Sequence, residues 1–189
     1  LPVIDPATGL YPADGNWDYR DTGADCYPFL CWAAFVVDQE ALNGPVRNVL
    51  HAEQKLCNHV DRIPVRYDWK NKKKRETAWD EIVFQASEYV KDGLVAVVEI
   101  TGKDEWFDRM LAIEEDLWKH ARVETPFGKI PSTNIEVNGD HLQSLTRLYT
   151  MTGREEFVTW SERLADYYFS QADFVPERLR DHGCEIIGG

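Results

Sequence analysis

Residues Leu94–Ala121 read LVAVVEITGKDEWFDRMLAIEEDLWKHA, and residues Leu145–Ala172 read LTRLYTMTGREEFVTWSERLADYYFSQA. The two stretches align without a gap at an offset of 51 residues, which sets Thr101-Gly102 on Thr152-Gly153. An internal match of this kind marks one supersecondary unit used more than once. In each copy an apolar helix end meets Thr-Gly, then a basic residue, acids, an aromatic and a long amphipathic run. Glycine at a helix end accepts the left-handed conformation without a Cβ clash. The acids that follow, Asp104, Glu105, Glu155 and Glu156, suit the positive N-terminus of the next helix. Trp106, Met110, Ile113 and Leu117 recur at helical spacing, as do Phe157, Trp160, Leu164 and Tyr168. So short a turn predicts two helices packed antiparallel.

An earlier unit has the same grammar. Cys26–Val37, CYPFLCWAAFVV, is an apolar helix, Asp38–Gly44 a turn, and Pro45–Asn58 a second helix with Pro45 in its first turn. The helix before the first Thr-Gly begins near Glu76. The expectation is therefore an all-α chain with helix pairs near residues 25–58, 77–121 and 139–172, in one domain over 1–189. Turns within pairs are short. The connectors Leu1–Ala24, His59–Arg75, Arg122–Asn138 and Asp173–Gly189 are long. Strict alternation would gather them on one end of the scaffold, where loops usually carry function.

Composition narrows the partners. Thirty-three acids against twenty-one bases give a formal net charge of −12. That balance excludes a nucleic-acid backbone as the main partner, since phosphate binding needs a positive field. The basic run Lys70, Lys72, Lys73, Lys74 and Arg75 reads as a solvated loop. The most apolar segment, Phe29–Val37, is too short to span a membrane. An apolar fraction of 43% is ample for a core. Cys26, Cys31, Cys57 and Cys184 lack C-x-x-C spacing, and no phosphate loop, G-x-S-x-G elbow or H-E-x-x-H motif is present, so neither metal nor cofactor is expected. The chain opens without Met or a signal peptide and ends on an apolar run. It therefore reads as a piece of a longer, soluble polypeptide, whose remainder is its first expected partner. The compartment stays open, with a periplasmic or secreted parent among the alternatives.

Helix pairs of about 50 residues, with Thr-Gly turns at one end and long loops at the other, resemble the six-hairpin (α/α) toroid superfamily. The L-x-x-L-Y-x-x-T-G-x-x-x-F pattern of Leu145–Phe157 and the later Ala165-Asp166-Tyr167-Tyr168 look like one hairpin of such a ring. The resemblance covers roughly residues 24–172 and is architectural. It implies about half of a toroid and a carbohydrate-active enzyme, with glycoside hydrolases first and polysaccharide lyases or sugar epimerases as alternatives. A non-catalytic helical-repeat binding module is the other class, although solenoid repeats usually have shorter periods.

Candidate residues come from the long loops. Asn16-Trp17-Asp18-Tyr19-Arg20-Asp21-Thr22-Gly23-Ala24-Asp25-Cys26-Tyr27 combines aromatic rings, which stack on sugar C–H faces, with groups that take sugar hydroxyls. Trp17, Tyr19, Arg20 and Tyr27 are thus candidate carbohydrate-binding residues, and Asp18 and Asp25 candidate catalytic acids. In the competing structural reading Asp21 or Asp25 caps the next helix. The loop before the last pair adds Asn134, Asn138 and His141 as binding residues and Glu136 and Asp140 as acids. Aligning helix ends sets Asp25 against Asp140, and two carboxylates at equivalent places could converge as a glycosidase pair. Asn138 as a simple N-cap is the rival. Glu88 and Asp92, four apart on one helix, face either the cavity or solvent. His182 is read as a surface residue. For a lyase, Tyr19 or His141 would remove a proton, while Arg20 and Asn134 would neutralise a uronate.

Overall fold

A computed structural model describes residues 3–11, 17–172, 176 and 183–189. The chain is mostly helical, as expected. Helix α1 runs through Tyr19–Cys26 and continues as Tyr27–Val37; α2 comprises Gln39–Ala41, Leu42–Val46 and Arg47–Cys57. Helix α3 comprises Trp79–Glu88, Tyr89–Leu94 and Val95–Thr101, followed by α4 (Glu105–Lys119), α5 (Ile135–Thr152), α6 (Glu155–Phe169) and a last turn, α7 (Glu185–Gly188). The chain divides into two compact units, Leu1–Ile113 and Glu114–Gly189.

The repeated Thr-Gly turns form as read. Gly102 has φ +80° and Gly153 φ +69°, and each glycine N–H closes its helix, onto the Val98 and Tyr149 carbonyls at 2.8 and 2.7 Å. Glycine is required at both because a Cβ is strained at positive φ. After the first turn, the Asp104 carboxylate accepts the Trp106 N–H at 3.0 Å and so starts α4.

Two connectors are not plain loops. Between α2 and α3 stand two small antiparallel hairpins, β1 (Asn58–Val60) with β2 (Ile63–Pro64), and β3 (Tyr67–Asp68) with β4 (Lys73–Lys74). Between α4 and α5, β5 (Val123–Thr125) pairs with β6 (Gly128–Ile130). The basic run lies on the exposed tip and outer strand of the second hairpin. Asp68 accepts the Asn71 backbone and side-chain N–H groups, both at 2.9 Å, and this turn holds its carboxyl below the usual range.

Helix starts also shift from the reading, because different residues cap them. Asp18, not Asp21 or Asp25, caps α1 by accepting the N–H groups of Asp21 and Thr22 at 2.8 and 3.2 Å. Asn134, not Asn138, caps α5 through the N–H groups of Glu136 and Val137 at 2.9 and 3.3 Å. A capping oxygen satisfies donors that the first helical turn leaves unpaired.

The core of the first unit is aromatic and charged at once. Trp17, Tyr19, Tyr27, Tyr89 and Trp106 are buried completely or nearly so. Their rings meet edge to face, Trp17 on Tyr19 and Tyr27 at 5.8 Å and Tyr19 on Tyr89 at 5.1 Å. Buried Glu53 is held by Arg109, whose Nε donates at 2.9 Å, and by the Tyr19 hydroxyl at 2.7 Å. Arg109 also donates to the Arg62 carbonyl at 2.7 Å. This charge pair is tolerated in the core because its hydrogen bonds are met. Burial pushes the Cys31 and Cys57 thiols up to about 12.

In the second unit α5 and α6 pack together around Leu145, Leu148, Phe157 and Leu164. Helix α7 lies on α5 at Gly139, where an added Cβ would stand 2.3 Å from the Glu185 carbonyl carbon. Phe169 is 71% exposed, whereas its neighbour Tyr168 is buried. Their opposite fates follow from adjacent positions falling on different sides of a helix.

Candidate functional site

The first unit carries an open cleft of about 380 Å³ between α1 and α3. Its position follows from an irregularity shared by both helices. Tyr19–Cys26 and Tyr89–Leu94 are wound as π-helix, one residue wider per turn than the α-helix around them. Such segments are rare, recur at functional sites and redirect the side chains they carry. They meet at Gly23 and Gly93, where a Cβ on either glycine would crowd the Tyr89 ring. Only the missing side chains let the two backbones come this close.

Asp25 and Asp92 sit on these two wide segments, and both line the cleft. Phe29 and Trp32, 77% and 43% exposed, form an aromatic wall on the following turns of α1. The Trp32 indole is fixed by donating to the Ala96 carbonyl of α3 at 3.0 Å. Large aromatic side chains that stay exposed while anchored at one edge offer a face to a ligand.

The electrostatics single out Asp25. Partial burial, then the charges of Asp21 and Asp92, raise its carboxyl above the usual range, against a smaller opposing pull from Arg20. Like charges in one site disfavour ionisation of one of them. Asp92 is paired with its neighbour Lys91 at 2.7 Å. A carboxyl whose proton is held more tightly than usual, beside a second carboxyl group, is a pairing that general acid chemistry uses.

The other expected residues are placed differently. Trp17, Tyr19 and Tyr27 are no sugar-stacking platform: all three are at most 1% exposed. Trp17 is pinned by a backbone pairing with Tyr67. Tyr27 donates to the Val46 carbonyl at 2.9 Å and accepts from the Trp106 indole at 3.0 Å. Asp18 and Asn134 are spent as helix caps. The Arg20 guanidinium lies over the Phe84 ring at 5.5 Å, with Glu88 3.9 Å away. Glu88 and Asp92 part company at the wide turn, Glu88 facing Arg20 and Asp92 the cleft. Asn16 and His182 lie outside the described residues.

Glu136, Asn138, Asp140 and His141 all belong to α5 in the second unit and are buried. Asn138 donates to the Ser132 carbonyl at 2.9 Å and to the Tyr168 hydroxyl at 3.1 Å. His141 meets Glu114 at 2.7 Å. Glu114 was not singled out from the sequence. It stands within an acidic helical run, Glu114-Glu115-Asp116, that looks solvated until tertiary packing buries it. Among the described residues no group of His, Cys, Asp and Glu is arranged to hold a metal ion, and no helix is long and apolar enough to cross a membrane.

No protein-family model matches the chain, and no curated protein or solved structure is significantly similar to it.

Proposed function

We propose that the protein acts on carbohydrate, as a glycoside hydrolase that works at the cleft between α1 and α3. Asp25 is the acid that protonates the leaving oxygen, and Asp92 is the carboxylate that stabilises or attacks the sugar. Trp32 and Phe29 supply the stacking surface. The observation that carries the reading is the juxtaposition of these two carboxylates with two exposed aromatic rings in one cleft. The wider architecture we propose is about half of a six-hairpin toroid. The repeat at an offset of 51 residues and the paired glycine caps support it.

A uronate lyase on the same scaffold draws less support. It would use Tyr19 as base, and Tyr19 is buried and donates to Glu53 at 2.7 Å. Burial raises its hydroxyl well above the usual tyrosine range, the wrong direction for proton abstraction.

The test is turnover of the chain, and of any longer parent, on a panel of aryl glycosides and uronate polysaccharides. Sugar release and ultraviolet absorbance are followed together. Release that falls about a hundredfold or more in Asp25→Asn supports the reading, since that is what loss of a general acid costs. A rise in absorbance would move it to a lyase. Sugar binding without turnover would leave a binding module.

A further inference from the structure

The cleft between α1 and α3 has a charge as well as a shape. Asp25 and Asp92 are the charged residues that line it, and no lining residue is basic. Lys91 bonds Asp92 at 2.7 Å without lining the cleft. The walls explain the imbalance. From Asp21 to Val46, through all of α1 after Arg20, the chain holds no Lys, Arg or His, and α3 holds none from Asp92 to its end at Thr101. The resulting negative field reaches the site itself: after partial burial, the charges of Asp21 and Asp92 are the main causes that raise the Asp25 carboxyl.

Aromatic surface stands in the same field. Asp25, Phe29 and Trp32 follow one another along α1 at helical spacing and line the cleft together. The Trp32 indole N–H is already given to the Ala96 carbonyl. What the ring offers a ligand is therefore its face, the negative pole of its quadrupole, which attracts cations. Acids and ring faces thus favour the same kind of guest. A uronate or a sulfated sugar would bring a like charge into the cleft, which is unfavourable. A neutral sugar would leave the field unused. A protonated amine answers both features, because it carries a positive charge and three hydrogen-bond donors.

We propose that the ligand of this cleft is an amino sugar in its ammonium form, drawn by the charge of Asp92 and seated against the faces of Trp32 and Phe29. The inference rests on reading the cleft as a carbohydrate site, and it names the class of sugar.

Titration calorimetry of the 189-residue chain at low salt tests this, with a glucosamine tetramer and an N-acetylglucosamine tetramer as probes. The two share length and ring faces, and acetylation removes the charge on nitrogen. The glucosamine tetramer is expected to bind about tenfold tighter, the scale of a cation–π contact together with an ion pair. Asp92→Asn and Trp32→Ala should each reduce that preference about threefold or more. Glu162→Gln, which removes the same charge from an exposed position in the second unit, should leave it intact. Equal affinity for the two tetramers would overturn the proposal, as would failure to bind either. So would a preference that survives Asp92→Asn, or one that Glu162→Gln weakens equally, since a chain of net charge −12 attracts any polycation. Turnover keeps the two readings apart. Preferential binding of the ammonium sugar without hydrolysis of an aryl glucosaminide sinks the hydrolase and keeps the amino sugar. Hydrolysis confined to uncharged glycosides does the reverse.

Discussion

A Cβ added to Gly93 would stand 2.7 Å from the carbonyl oxygen of Gly23. The two helices that flank the cleft thus touch backbone to backbone, and the contact leaves no room for a methyl group. Gly93→Ala must push α1 and α3 apart. The expected cost is roughly 1–3 kcal/mol, the usual range for overpacking a tight core. Chemical denaturation measures it. A neutral outcome would mean that the helices separate freely and that the cleft is not held by this crossing.

Trp32→Ala and Asp25→Asn should separate binding from chemistry. Loss of the indole face removes stacking, which weakens sugar binding and raises KM with a smaller change in kcat. Loss of the Asp25 carboxyl lowers kcat with little change in KM. Steady-state kinetics on an aryl glycoside distinguish the two; identical effects on both constants in both variants would count against the assigned roles.

Asp25 also makes a signed prediction about pH. Its carboxyl is raised from an ordinary value of 3.8, so the folded state holds its proton more tightly than the unfolded chain does. Folding stability from this residue is therefore present below 3.8 and declines as pH rises through the raised value. Glu105 has the opposite sign. Arg47 at 3.1 Å holds it below its ordinary 4.5, so its contribution is present above that value and fades on acidification. Asp25→Asn should flatten the first dependence and leave the second. Urea midpoints collected across the acid range decide this.

Breaking the buried pair of Glu53 and Arg109 should be the most damaging single change in the first unit. Arg109→Met leaves Glu53 buried with the Tyr19 hydroxyl as its one other bond described above. Stranding a buried charge costs about 3–5 kcal/mol. Glu53→Gln with Arg109→Met should recover part of the loss, because no lone charge remains. A thermal melt of the single and double variants reads both effects.

Gly139→Ala tests the seat of α7. The added methyl meets the Glu185 backbone at 2.3 Å, and a main-chain atom cannot rotate away. The expected result is release of Glu185–Gly188, seen as faster amide exchange there, with α5 and α6 still protected. Unchanged exchange in α7 would contradict the close contact.

The helices were legible in the sequence because their signals are local. Gly102 and Gly153 mark turns by their own conformational freedom, and Trp106–Leu117 and Phe157–Tyr168 repeat at helical spacing. The hairpins were not legible: strands of two or three residues are too short to show alternation. The loop before α1 misled for a different reason. Trp17, Tyr19 and Tyr27 have the composition of a sugar platform, yet composition does not say which way a ring turns. Packing on Tyr89, Glu53 and Trp106 decides that, and those partners are remote in sequence. Asp92 lines the cleft from the wide turn of α3, which leaves no pattern in residue type. Glu114 looked like one acid among several on a helix.

The four cysteines divide by environment. Cys31 and Cys57 are buried with thiols near 12, whereas Cys26 and Cys184 are exposed. An alkylating reagent at neutral pH should consequently tag two positions on the native chain and four on an unfolded one. The protein carries its own stopwatch for opening of the first unit, read by mass, with no dye or engineered label.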